Sequence, residues 1–149
     1  MDKFSESADL FEEVMMRGAE QMIKYMDHSI WKEYSPQQLR LMKLVDQLGA
    51  LTAGQLADML QVHKSAISNR LKKLTDKGLV RVVRLEHDNR ISVITITPEG
   101  KSIVDEAYNV LYGYINSMVK ETLNEDELDQ FIHVLRKLKQ MLDSAAQRP

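Results

Sequence analysis

With 149 residues, 44% of them apolar and 28% charged, the chain is long enough to bury a core and has an ordinary globular composition. It contains no cysteine, which excludes a disulfide scaffold, thiol redox sensing and thiolate metal sites. No apolar run approaches the roughly 18 residues of a membrane span, and Met1-Asp2-Lys3-Phe4-Ser5-Glu6 lacks the pattern of a secretory signal, so a cytoplasmic protein is expected.

Residues 5–33 carry apolar side chains at three- and four-residue steps: Leu10, Phe11, Val14, Met15, Met22, Tyr25, Met26 and Ile30. That period predicts one long helix. Met16, Ala19, Ile23 and Trp31 widen its stripe beyond what one packed face requires, so two partners are expected, its own domain and another chain. Ser35-Pro36-Gln37-Gln38 opens a second helix: Ser35 caps, Pro36 suits the first turn and Gln38 completes a capping box. Leu41, Met42, Val45 and Leu48 form its inner face, and Gly49 stops it. Thr52-Ala53-Gly54-Gln55 repeats the capping box for a short helix bearing Leu56, Ala57, Met59 and Leu60. After a break at Gln61-Val62, a fourth helix runs from Lys64 to Asp76, and Gly78 ends it.

The period then becomes strand-like. Residues 79–85 and 91–97 are rich in β-branched side chains and flank the polar tip Glu86-His87-Asp88-Asn89-Arg90, which predicts a hairpin with an exposed loop. Thr97-Pro98-Glu99-Gly100 opens a fifth helix, carrying Ile103, Ala107, Val110, Leu111, Tyr114, Met118 and Val119. Asn124-Glu125-Asp126-Glu127 starts the last helix, with its acids set against the helix dipole. There Leu128, Phe131, Leu135, Leu138 and Leu142 form a stripe that is expected to pack between two chains.

Charge is distributed unevenly. Residues 63–90 hold eight Lys/Arg against three acids, a net +5, which leaves -7 elsewhere to give the total of -2. A basic segment in an acidic chain points to one polyanion-binding face. In the fourth helix Ile67, Leu71 and Leu74 share one side, while Ser65, Ser68, Asn69 and Lys72 share the opposite one. Hydroxyls, an amide and a lysine suit a major groove: Asn pairs with adenine, Ser adapts to several base edges, and Lys reaches phosphate or guanine. No acid occurs between positions 64 and 75, unlike an ordinary solvated helix. Helix, short break, helix and basic-tipped hairpin together predict a winged helix-turn-helix, in a mainly α fold with a small β-hairpin wing.

The chain resembles the MarR family. The resemblance rests on Leu51-Thr52 with Leu56-Ala57, Ser65-Ala66-Ile67-Ser68, Leu74-Thr75-Asp76-Lys77-Gly78-Leu79-Val80, and Asp88, Arg90, Ile94, Ile96-Thr97 and Gly100 at their fixed offsets. It is strongest over residues 35–100. It implies a transcriptional regulator, a repressor released by a small-molecule effector, whose residues 35–100 bind DNA while residues 1–34 and 101–149 form a helical dimerisation region. The implied partners are double-stranded DNA bearing an inverted repeat, a second copy of the chain, and a small apolar or aromatic effector, with no cofactor and no membrane. DNA contacts are then expected from Lys64, Ser65, Ser68, Asn69, Lys72 and Lys73, with Arg90 in the minor groove and Asp88 holding the wing. Asn69 departs from the arginine that many relatives carry, and His63 from their usual Ser or Asp cap. An effector pocket would be sought among Met22, Tyr25, Met26, Trp31, Tyr34 and Met42.

No phosphate loop, nucleophile elbow or closely spaced pair of metal ligands is present, so no enzyme is expected. The four histidines are scattered; His28, near Glu20, Asp27 and Glu33, is the one place where zinc could bind in a dimer, as in some members of the family, and isolated surface histidines are the simpler expectation. A constitutive DNA-binding protein without an effector and a protein-interaction module are the alternatives.

Overall fold

The computed structural model describes residues 2–27 and 29–146. In chain order these form α1 (Lys3–Tyr25), α2 (Ser29–Glu33), α3 (Pro36–Leu48), α4 (Ala53–Leu60), α5 (Lys64–Asp76), β1 (Val80–Leu85), β2 (Asp88–Ile96), α6 (Pro98–Thr122) and α7 (Glu125–Ala146). The fold is mainly helical with one antiparallel two-stranded hairpin, as expected.

Local signals set most boundaries. At α3 the Gln38 N–H donates to Ser35 Oγ (3.2 Å) while the Ser35 N–H donates to Gln38 Oε1 (3.0 Å). Thr52 and Gln55 make the same reciprocal pair at α4, at 3.1 and 2.9 Å. Asn124 and Glu127 make a third at α7, at 3.0 and 2.9 Å. Each satisfies donors that the helix leaves orphaned, and is worth about 1 kcal/mol. Gly78, with φ +70°, reverses the chain after α5, a conformation that costs a side-chain-bearing residue more.

The core lies where α3, α4 and α5 meet the hairpin and the start of α6. Leu39, Leu41, Met42 and Val45 of α3 pack with Leu56, Ile67, Leu74, Val80, Ile94, Val104 and Ala107. Each large member contributes about 1.5–3 kcal/mol relative to exposure. Leu51 pairs with Ile94 through two backbone hydrogen bonds (3.1 and 2.7 Å), tying the α3–α4 connection to the hairpin. Gly100 lies against the Leu79 carbonyl so closely that an added methyl would collide with it. The only described buried polar side chain, Thr97, donates its hydroxyl to the Gly78 carbonyl (2.7 Å) and accepts the Gly100 N–H (3.1 Å).

Three expectations need correction. The long first helix is broken: α1 ends at Tyr25 and α2 begins at Ser29. Ile30 and Tyr34 turn into the core, where each is about 5% exposed, whereas no residue of α1 is buried. Leu48, expected on the inner face of α3, is exposed, because α3 has passed the core by its last residue. The wing tip is narrower than expected. Only Glu86 and His87 separate the strands, and Asp88, Asn89 and Arg90 belong to β2.

α6 is buried only near its start, at Gly100, Val104 and Ala107, and no described side chain of α7 is buried. Among the described residues no helix is long and apolar enough to cross a membrane.

Candidate nucleic-acid interface

The helical period places Ile67, Leu71 and Leu74 of α5 in the core and leaves Ser65, Ser68, Asn69, Lys72 and Lys73 exposed. Ser68 donates its hydroxyl to the Lys64 carbonyl (3.1 Å), so its oxygen lone pairs, rather than its proton, face outward. Lys64, also exposed, runs back across the start of α4: a Cβ on Gly54 would lie 3.3 Å from its Cε. His63 stands at the N-cap of α5 but makes no side-chain capping bond. That leaves the first amide donors of α5 without a side-chain acceptor from this residue.

Arg90 owes its position to an irregularity in the hairpin. The ladder pairs Arg84 with Ser92 and then Leu85 with Asp88, so Asn89, Arg90 and Ile91 of β2 bulge out between them. A bulge re-aims side chains and removes ladder partners from backbone groups. The Asp88 carboxylate supplies the missing partner, accepting the Arg90 N–H at 3.0 Å. Arg90 and Asn89 are exposed and Asp88 is half-buried. Arg81 and Arg84 of β1 are also exposed, which adds two cations that no single motif had pointed out beyond the count of basic residues.

Not every cation of the basic segment is free. Lys77 sits 3.5 Å from Glu33 Oε1 and 4.5 Å from the centroid of the Tyr34 ring. Burial pushes the Tyr34 phenol above its ordinary pKa of 10.0, with Glu33 adding to the shift. This contact joins positions 44 residues apart and leaves no periodic trace in the sequence.

The six residues expected around a pocket are dispersed. Met42 is fully buried in the core, and Tyr34 nearly so. Trp31 is half-buried and meets Tyr108 edge-on, with centroids 6.0 Å apart. Tyr25 stacks on Tyr114 at 3.8 Å. Met22 lines an apolar cleft of about 460 Å³ between α1 and α6, with Val14, Tyr114 and Met118, while Met26 is half-buried beyond the end of α1. Sequence reading missed Lys43, which reaches α6: its ammonium bonds the Tyr112 hydroxyl and lies 3.9 Å from the Tyr108 ring centroid. The zinc reading centred on His28 lies outside the described residues. Among the described residues no group of three or more His, Asp or Glu side chains is placed to hold a metal.

Comparison with known proteins agrees with this geometry. A family model described as MarR family matches residues 34–92. The uncharacterized HTH-type transcriptional regulator YdgG of Bacillus subtilis is 34% identical over 139 residues, covering 92% of this chain and 91% of that protein. The HTH-type transcriptional repressor MdtR of Bacillus subtilis is 27% identical over 112 residues, covering 74% and 70%. Among solved structures, the transcriptional regulator BldR of Sulfolobus solfataricus matches with a TM-score of 0.69 at 26% identity, over 97% of this chain and 99% of that one. Streptococcus pneumoniae FabT in complex with DNA shares the fold, with a TM-score of 0.80 at 17% identity over 96% and 99%. Residues 34–92 contain α3 to α5 and most of the hairpin, and the YdgG likeness extends through the flanking helices. The chain belongs to the MarR family of winged helix-turn-helix transcriptional regulators.

Proposed function

We propose that the chain is a dimeric, cytoplasmic repressor that reads an inverted-repeat operator and releases it when a small apolar or aromatic molecule binds. The observation that carries the DNA reading is the exposed face of α5, with Ser65, Ser68, Asn69 and Lys72 outward and no acid between positions 64 and 75. In this reading α5 enters the major groove with Asn69 on a base edge, Lys64, Lys72 and Lys73 serve phosphate, and Arg90 enters the neighbouring minor groove. Asp88 holds the wing. Residues 35–100 form the reading head, and residues 1–34 and 101–149 the dimerisation region.

The dimer is supported by apolar surface that the single chain leaves uncovered. Phe4 is 87% exposed, and Phe11, Val14, Met15, Met16 and Ile23 of α1 are more than half exposed, as are Met141 and Leu142 of α7. Exposed apolar surface on this scale marks an interface. The relatives named as a transcriptional repressor and as bound to DNA support the same direction of function. No catalytic constellation is part of this reading.

Selection of duplexes from a random pool tests it. The expected consensus is an inverted repeat with half-sites about 10 base pairs apart, centre to centre. Asn69→Ala is expected to relax one symmetric base pair, at about 1–3 kcal/mol per half-site, with the salt slope unchanged. An asymmetric consensus, or one unaltered by Asn69→Ala, defeats the assignment.

A further inference from the structure

We propose that Lys77 is a positioning residue for DNA recognition, fastening the C-terminal end of α5 to the segment that joins the winged domain to α1. The inference rests on reading α5 as the recognition helix. By composition Lys77 is one more cation of the basic segment and would be assigned to phosphate. Its geometry assigns it elsewhere, since its ammonium is engaged by the Glu33 carboxylate at 3.5 Å and the Tyr34 ring at 4.5 Å.

The platform under Lys77 is fixed. Tyr34 is 6% exposed within the core, and its N–H donates to the Ile30 carbonyl at 3.1 Å. Glu33 is the last residue of α2, which follows directly on the break that ends α1. On the other side, Lys77 is the C-cap of α5, where a cation also complements the helix dipole. The next residue, Gly78, turns the chain and offers its carbonyl to the Thr97 hydroxyl at 2.7 Å. Two successive residues therefore bind the end of α5 to two different elements: Lys77 to α2 through its side chain, Gly78 to the root of the wing through its backbone.

In a dimer joined through α1, this contact and the root of α6 together set the angle between arm and reading head. That angle fixes the separation of the two recognition helices. The ion pair is half-exposed, so it adds little to folding stability. Its effect is on orientation, and orientation is read by the spacing of operator half-sites.

The test uses the full chain in two measurements. Because the sequence has no cysteine, Glu86→Cys places one spin label on each protomer, and the interlabel distance distribution reports the separation of the wings without DNA. Lys77→Met and Glu33→Gln, each made in that background, are expected to broaden or move the distribution. Without the label, each is expected to weaken binding at the preferred half-site spacing by about 2- to 10-fold, counting two contacts per dimer. Operators one base pair longer or shorter should lose less, the salt slope should stay unchanged, and the double variant should be no worse than either single one. An unchanged distance distribution with an unchanged spacing preference overturns the proposal. So does a reduced salt slope in Lys77→Met accompanied by tighter binding in Glu33→Gln, because freeing Lys77 would then improve a phosphate contact. Failure of the wild-type chain to select an inverted repeat counts against the recognition reading itself, while the distance measurement still decides the role of Lys77.

Discussion

The Asp88 carboxylate accepts the backbone N–H of Arg90 at 3.0 Å, at the point where β2 bulges away from β1. The bond satisfies an amide that the ladder has abandoned and fixes the backbone from which the arginine projects. The two residues should therefore fail differently. Arg90→Ala should weaken binding to many sequences and lower the salt slope by about one counterion per half-site. Asp88→Ala keeps the cation and loses its orientation, so affinity should fall while the slope persists. Salt titrations of both variants check this.

Removing α1 should end dimerisation. The wild-type chain is expected to sediment as a dimer at micromolar concentration, and the shortened chain to aggregate or dissociate. With no residue of α1 buried in the single chain, loss of the winged core is not the expected cause. A monomeric wild type in sedimentation equilibrium would refute the dimer.

Thr97→Val removes a hydroxyl while preserving shape, leaving the Gly78 carbonyl and the Gly100 N–H without their partner. The expected loss is about 1–3 kcal/mol of unfolding free energy. Urea titrations must compare the variants at one protein concentration, because a dimer gains stability by mass action.

Alkaline solution should act on two phenols, that of Tyr34 in the core and that of the half-buried Tyr108. Tyr34 and Tyr108 are both pushed above 10.0, chiefly by burial, with Glu33 adding to the first and Tyr112 to the second, against an opposing effect of Arg40. The folded chain holds these protons longer than the unfolded chain does. Their contribution is therefore fully present below pH 10 and is lost as pH rises through the raised folded values. Tyr34→Phe, which keeps the ring beneath Lys77, should make the alkaline loss of stability shallower. Urea midpoints on either side of pH 10 measure the difference.

What was legible in the sequence was local. Ser35 with Gln38 and Thr52 with Gln55 announce helix starts because their partners lie three residues apart. The outward placement of Ser65, Ser68, Asn69 and Lys72 follows from helical period once Ile67, Leu71 and Leu74 point inward. The break before α2 was hidden because the apolar period runs straight through it, and only the core decides that Ile30 and Tyr34 turn inward. The bulge at Asn89–Ile91 was hidden because it arises from the slipped pairing with β1. Lys77 and Glu33 meet through tertiary structure alone, so the count of basic residues held no sign of their contact.

The close approach of Gly100 to the Leu79 carbonyl has a mechanical consequence. With no side chain between them to yield, the joint has no backlash. α6 is 25 residues long, about 37 Å at 1.5 Å per residue, and it is embedded in the core only as far as Ala107. It is a lever with a tight fulcrum at the root of the wing. A displacement of about 2 Å at its far end turns the fulcrum by roughly 3° over that length. Enlarging position 100 would loosen the joint, so its small size serves the transmission of movement as well as the packing of the fold.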